Sequence, residues 1–159
     1  MAALTQTEID ALIAKLKKFP YLCSAGSTSL GPLSGPPQVA AEVETKDVML
    51  YETGSDVQAR YLTTNDVKVT IKTRDVATAM SLQAAFAKGD NIMASANKVS
   101  LTLVPITSAT ESTITFANAY LQPGLNFTPG EDDTPSEVEL VYLCKADATT
   151  GKPFTYGAA

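Results

Sequence analysis

Three adjacent carboxylates, Glu131, Asp132 and Asp133, are the residues of this chain whose type and spacing come nearest to chemistry. Clustered carboxylates can hold hard cations such as Ca²⁺ or Mg²⁺. These three lack the alternating D-x-D-x-D-G order of a calcium loop, and they stand in the Pro-Gly segment LQPGLNFTPGEDDTP, so a solvated acidic loop is the favoured reading. Cys23 and Cys144 are far apart, have no CxxC spacing, and lack any histidine to complete a zinc site. Two buried free thiols are the expectation, with a disulfide as the alternative. The missing histidine also removes the commonest general base and the base of a nucleophilic triad. No GxSxG elbow, GxxxxGK[ST] cradle or GxGxxG turn occurs, so no catalytic residue, metal ligand or cofactor is expected. Asn126, Phe127 and Thr128 match a glycosylation sequon, which carries no weight without a secretory signal.

Aromatic rings are the other chemically suggestive set. Tyr51, Tyr61, Phe116, Tyr120 and Tyr142 could stack on bases, but such platforms also carry cations, and only Arg60, Lys68, Lys72 and Arg74 are near in sequence. A sheet core with tyrosines at its rim is the simpler account. The net charge of −5 excludes a tight, phosphate-gripping nucleic-acid binder, which needs a basic face. Lys15, Lys17 and Lys18 form the densest basic cluster, and their place at a helix end explains them through the helix dipole.

The elements that would position these groups are mainly strands. With 159 residues, 45% of them apolar and 18% charged, the chain has material for one domain with a real core. Residues 1–20 hold a helix, Thr7 to Lys18, because Ile9, Leu12, Ile13 and Leu16 line one face, Thr5 and Glu8 form a capping box, and Pro20 ends it. Residues 21–38, with the run SAGSTSLGPLSGPP, read as a loop or arm whose two large apolar residues, Leu30 and Leu33, dock onto something.

A β core follows over 39–146. Turns are expected at Gly54–Asp56 and at Asn65–Asp66, between the runs DVMLYET, VQARYLTT and VKVTIKT. A helix over 75–88 is capped by Asp75 and ended by Gly89. Later strands fall at 98–106, 112–119 and 136–146, the last with a nearly continuous apolar run suited to burial on both faces. Residues 147–159 read as a loose C-terminal arm. No run approaches the roughly 18 apolar residues of a membrane helix. Thr5 to Glu8 and Asp10 interrupt any signal peptide, so a soluble protein made in a cytoplasm is expected.

Both the element order and three segments, VMLYETGSDVQARYLTTNDVKVTIKTRDVATAM, KVSLTLVPI and TITFANAYLQPG, resemble the major tail tube proteins of tailed bacteriophages, over residues 40 to 146. The resemblance implies an α+β fold of mainly β type: two packed antiparallel sheets, as a sandwich or barrel, with one flanking helix. It further implies six-fold rings stacked into a hollow tube in the virion, with edge strands of neighbouring subunits pairing into an inner barrel. Implied partners are further copies of the chain, a tail sheath, tape-measure or tail-terminator protein, and DNA in transient passage, with no membrane. Ring contacts would come from the loops at 24–37 and 122–135 and from the two ends, with Leu30, Leu33, Leu125, Phe127, Phe154 and Tyr156 as the candidate residues. The N-terminal helix, Thr7 to Lys18, departs from the simplest form of that family, as an extra contact between rings or with an outer layer, or as a mark of homology elsewhere in the virion. Alternatives are another virion part, such as a tail terminator or capsid decoration protein, and a carbohydrate-binding sandwich using Tyr51, Tyr61 and Tyr120.

Overall fold

Strand-forming runs rich in Val, Ile, Thr and Leu account for most of the architecture. The computed structural model describes residues 3–14, 20–54, 56–106 and 112–157. Among them, helix α1 (Gln6–Ala14) precedes β1 (Tyr21–Ala25), β2 (Thr28–Ser29), β3 (Gln38–Met49) and β4 (Val57–Thr73). Helix α2 (Val76–Ala84) follows, and then β5 (Val99–Pro105), β6 (Ile114–Gln122), β7 (Phe127–Thr128), β8 (Glu137–Cys144) and β9 (Thr155–Tyr156). All pairings are antiparallel, in the order β2-β1-β5-β6-β8-β4-β3, with β7 added to β8 and β9 to β6.

The mainly β expectation holds, but the strands belong to one hydrogen-bonded sheet instead of two separate ones. A single sheet can enclose a core only by curling, and one short segment fixes the curl. Leu30 N–H donates to Cys23 O on β1, and Pro32 O accepts from Arg74 N–H just beyond β4. Two residues span at most about 7 Å. In a flat sheet β1 and β4 would stand four spacings, roughly 19 Å, apart. The segment continues as an antiparallel bridge from Leu33 to Thr73, with Ser34 N–H donating to Lys72 O at 2.9 Å. The run read as a docking arm is therefore a hairpin plus a strap across the open side of the sheet.

Inside the curl, the period of two decides which residues meet. Val67, Val69 and Ile71 of β4, Leu101 and Leu103 of β5, and Val138, Leu140, Tyr142 and Cys144 of β8 all point into one buried cluster. On β6 the alternation breaks between Phe116 and Ala119, both buried. The reason is a register shift: Val99 pairs with Ala119 but Leu101 with Phe116, so β6 carries one extra residue there. Strand β8 alternates strictly between buried and half-buried residues, so one of its faces is fully covered and the other only partly. Cys23 and Cys144 are buried free thiols, as expected.

Several sequence expectations need correction. Asn65 and Asp66 do not turn the chain, which runs through them as the 17-residue β4. Their side chains are satisfied without a turn: Asp66 accepts from Lys145 Nζ and from Ala146 N–H, and Asn65 Nδ2 donates to Gly151 O at 3.2 Å. Asp75 does cap α2, accepting from Thr78 N–H at 3.3 Å, but the helix stops at Ala84, short of 88. The segment after it holds instead an Asp90 carboxylate accepting from Ala87 N–H, with Gly89 at φ 96°. The C-terminal arm is packed, not loose. Strand β9 pairs with the start of β6, Pro153 is buried, and Asp147 O, its Oδ1 and Lys152 O accept bonds that tie off a tight turn. At the other end the capping box is real, with Thr5 N–H donating to the Glu8 carboxylate at 2.7 Å and Glu8 N–H to Thr5 Oγ1 at 3.4 Å. The basic cluster at Lys15, Lys17 and Lys18 lies outside the described residues.

Candidate assembly surface

Six residues were expected to make contacts between subunits; the fold buries one, half-buries one and exposes four. Leu30 is only 1% exposed and belongs to the subunit's own core, which removes it from any interface. The cause is the strap: its backbone bond to Cys23 turns the Leu30 side chain under the β1–β2 hairpin. Leu33 is half-buried against the same core. Leu125 and Phe127 remain exposed, on and beside β7. Phe154 and Tyr156 are exposed too but anchored. The Phe154 ring tilts against Phe116 with centroids 6.1 Å apart, and the Tyr156 hydroxyl donates to Ser112 Oγ at 3.2 Å. Of the tyrosines considered for a ligand surface, Tyr51 and Tyr61 are exposed whereas Tyr120 is half-buried.

A larger feature went unassigned in the sequence. Among the described residues, β8 pairs with β4 only from Val67 to Thr73, and Val57–Asp66 has β3 as its one ladder partner. The ribbon of Glu44–Met49 against Val57–Thr64 thus projects past the core by roughly 20 Å, at about 3.4 Å per residue. Strand β3 is the sheet edge along its whole length, and its residues are almost all exposed. An isolated two-stranded ribbon is marginal in water. Within the subunit this one is reinforced by the fork of Arg60 Nε and a terminal nitrogen onto Asp47 at 2.6 and 3.2 Å, a pair directly opposed in the ladder. That fork holds the Asp47 carboxyl below its usual range, but both side chains are in water, where such pairs contribute little.

At its tip the ribbon presents a turn Tyr51–Thr53 with Gly54 at φ 73°. Met49, Tyr51 and Val57 are exposed there, Tyr51 to 97%. Farther back, Tyr61 and Leu62 are also open. Soluble monomers rarely leave so many apolar side chains open on one element. At 12 and 17 residues the two strands are far longer than the usual ~5–6, and about half of each lies outside the core; the turn expected at Asn65–Asp66 hid that length in the sequence.

The acidic run makes no comparable surface. Glu131 and Thr134 bridge each other across a tight turn, leaving the carboxylates in solvent, and among the described residues no group of three or more His, Cys, Asp or Glu side chains is placed to hold a metal ion. Among the described residues, too, no helix is long and apolar enough to cross a membrane.

No protein-family model matches the chain, and no curated protein matches it. Solved structures do. The tube-terminating cap of the anti-feeding prophage superposes with a TM-score of 0.56 at 8% identity, covering 100% of this chain and 95% of that one. A chain of the sheath–tube complex of an extracellular contractile injection system, PVC, in its extended state gives 0.53 at 11% identity, covering 89% and 94%. At such identities the likeness is one of fold, and it extends over nearly the whole of each chain.

Proposed function

We propose that this chain is a non-catalytic structural subunit of a bacteriophage tail or tail-like particle, forming hexameric rings that stack into a hollow tube through which DNA passes during ejection. The observation that carries this reading is the projecting β3–β4 ribbon with its unpaired outer edge. A free edge of 12 residues is a liability in a monomer and an assembly device in a polymer, because a neighbour's strand can continue the ladder. The fold shared with the cap and with the sheath–tube chain supports it. The net charge of −5 fits a conduit for a polyanion, since like charge keeps the cargo from sticking. A sheath, a tape-measure protein and a terminator are the partners such a subunit would meet.

A terminator is the second reading. It is favoured by the cap, whose match takes in this entire chain. The two differ in what the purified protein builds.

Negative-stain electron microscopy across a concentration series separates them. Long tubes with a regular axial repeat are expected, and discrete rings that never stack would favour the terminator. Met49→Ser combined with Tyr51→Ser should abolish tubes while leaving the circular-dichroism spectrum unchanged. A wild-type chain that stays monomeric at every concentration would overturn both readings.

A further inference from the structure

We propose that one face of the β3–β4 ribbon, the face continuous with the subunit's own core, is where a second copy of this chain seats, an inference that deepens the assembly reading above and rests on it. The ladder register identifies that face. From Gln38 to Glu44, β3 pairs with β4 one to one, so Val39, Ala41 and Val43 stand opposite Val69, Val67 and Asn65 on the core side of the sheet. Beyond Glu44 an unbroken ladder would pair Thr45 with Thr63 and turn Leu62 to the other side. Instead Thr63 is left out: Glu44 faces Thr64, Thr45 faces Leu62, and the Thr63 hydroxyl donates to Glu44 O at 3.1 Å. A second extra residue, Gln58, separates the pairs Val48–Ala59 and Met49–Val57. Each bulge shifts the phase of β4 by one residue and so exchanges its faces. The first brings Leu62 and Arg60 to the core side, and the second puts Val57 there in place of Gln58.

The two faces of the ribbon differ in kind as a result. On the core side Val39, Val43, Met49, Val57 and Leu62 are each between 47% and 57% exposed, and the charges of Asp47 and Arg60 are paired with each other. On the opposite side stand Glu42, Glu44, Lys46, Tyr61, Asp66 and Lys68. The charged side is at home in water. The core side offers nothing to a phosphate or an ion and suits an apolar protein surface.

Size and surroundings favour a second copy. From Val39 to Met49 the face is roughly 34 Å long and about 10 Å wide, or roughly 340 Å². A stable interface takes about 800 Å² from each partner, so the occupant must also engage what adjoins this face. One neighbour is the open ladder edge of β3. The other is the C-terminal arm, which Asn65 holds on the core side through its bond to Gly151 O; Asn65, Pro153, Phe154 and Tyr156 line a hollow there, with Phe154 and Tyr156 exposed. A subunit that continues the β3 ladder lays its own side chains one strand spacing from Ala41, Val43 and Thr45 and reaches edge, face and hollow together. The ring reading supplies such a subunit.

Thiol labelling of the chain before and after assembly tests this. Val43→Cys and Leu62→Cys report the core-side face, Glu44→Cys and Tyr61→Cys the other, and the native thiols, 3% and 0% exposed, stay out of the reaction. In dilute subunit all four variants should react readily with a small maleimide. In polymer grown from the purified chain alone, where cover comes only from other copies, the first pair should react about tenfold more slowly or less, and the second pair should change by under about threefold. Val43→Asp with Leu62→Asp should raise the concentration needed for assembly on the order of tenfold or more, by forfeiting burial of two aliphatic side chains. Protection of Glu44→Cys and Tyr61→Cys alone, or of all four equally, would overturn the choice of face. Polymer in which all four stay reactive would overturn it too, and in each of these cases the assembly reading stands. Absence of any polymer would remove both. Flotation of the chain with phosphatidylcholine vesicles, abolished by Leu62→Asp, would make the occupant a lipid surface and also overturn the proposal.

Discussion

Leu30→Ala separates a residue of the core from a residue of an interface. Leu30 is 1% exposed and sits in the cluster with Cys23, Leu101, Ile71 and their neighbours. Truncating a buried leucine costs about 2–5 kcal/mol, the spread reflecting how far the surroundings collapse. Collapse is restricted here, because the backbone on either side is pinned to β1 and to the end of β4, which argues for about 3 kcal/mol or more. For a domain of this size each kcal/mol lowers Tm by about 2–4 °C, so a fall of about 6–12 °C is expected. The assay is thermal and urea unfolding followed by circular dichroism, at concentrations below assembly so that mass action does not enter. The urea midpoint should fall with the m-value unchanged. Leu125→Ala, at 67% exposed, is the control and should stay within about 0.5 kcal/mol. If Leu30→Ala left Tm within 1 °C of the wild type and weakened polymerisation instead, the strap would be a docking arm and the curl drawn from it would be wrong.

Two further outcomes follow from local geometry. A Cβ at Gly130 would collide with the backbone oxygen of Thr134 and lie 2.7 Å from Ser136 N, so Gly130→Ala must open the acidic turn. A cost of about 1–3 kcal/mol is expected, with faster hydrogen exchange confined to residues 129–136. Burial raises both the Cys23 and Cys144 thiols to about 12, so neither should react with a thiol reagent at pH 8 until the chain unfolds. The sign of the linkage is set by the raised values. Stability is unaffected below the ordinary thiol value of 9.0 and is lost as pH climbs from there through about 12, because the unfolded chain releases those protons first. Tyr142, also pushed up to about 12 chiefly by burial, steepens that loss above 10. A stability that stays flat between pH 9 and 10, together with ready thiol labelling of the folded chain at pH 8, would show that the thiols are not buried as described.

What could be read in the sequence was whatever repeats over a few residues. Leu101 and Leu103 on β5, or Val67, Val69 and Ile71 on β4, announce their strands by period two, because the same alternation that makes a pleated strand selects one face for the core. Thr5 with Glu8, and Asp75 before α2, were legible because a cap is satisfied three residues away. The misread elements share the opposite property. Asn65 and Asp66 look like a turn until Lys145, Ala146 and Gly151 arrive from about 80 residues later to satisfy them. The strap of Leu30 to Ser34 looks like a loop because its partners are on β1 and β4, and residues 147–157 look loose because their ladder is on β6.

The β3–β4 ribbon marks a different boundary between sequence and structure. Its Val43, Val57, Tyr61 and Leu62 have the composition of a core strand, yet each is about half exposed or more. Composition records that a side chain is to be covered; it does not record by which molecule. Among the described residues the ribbon's ladder stops at β3 and its apolar side chains stay about half exposed or more, so one element carries both an open edge and an apolar surface. A monomeric protein would shorten such a strand or charge its edge. A β3 of 12 residues with an open edge is what the proposed assembly would use, since a neighbour's strand can continue its ladder.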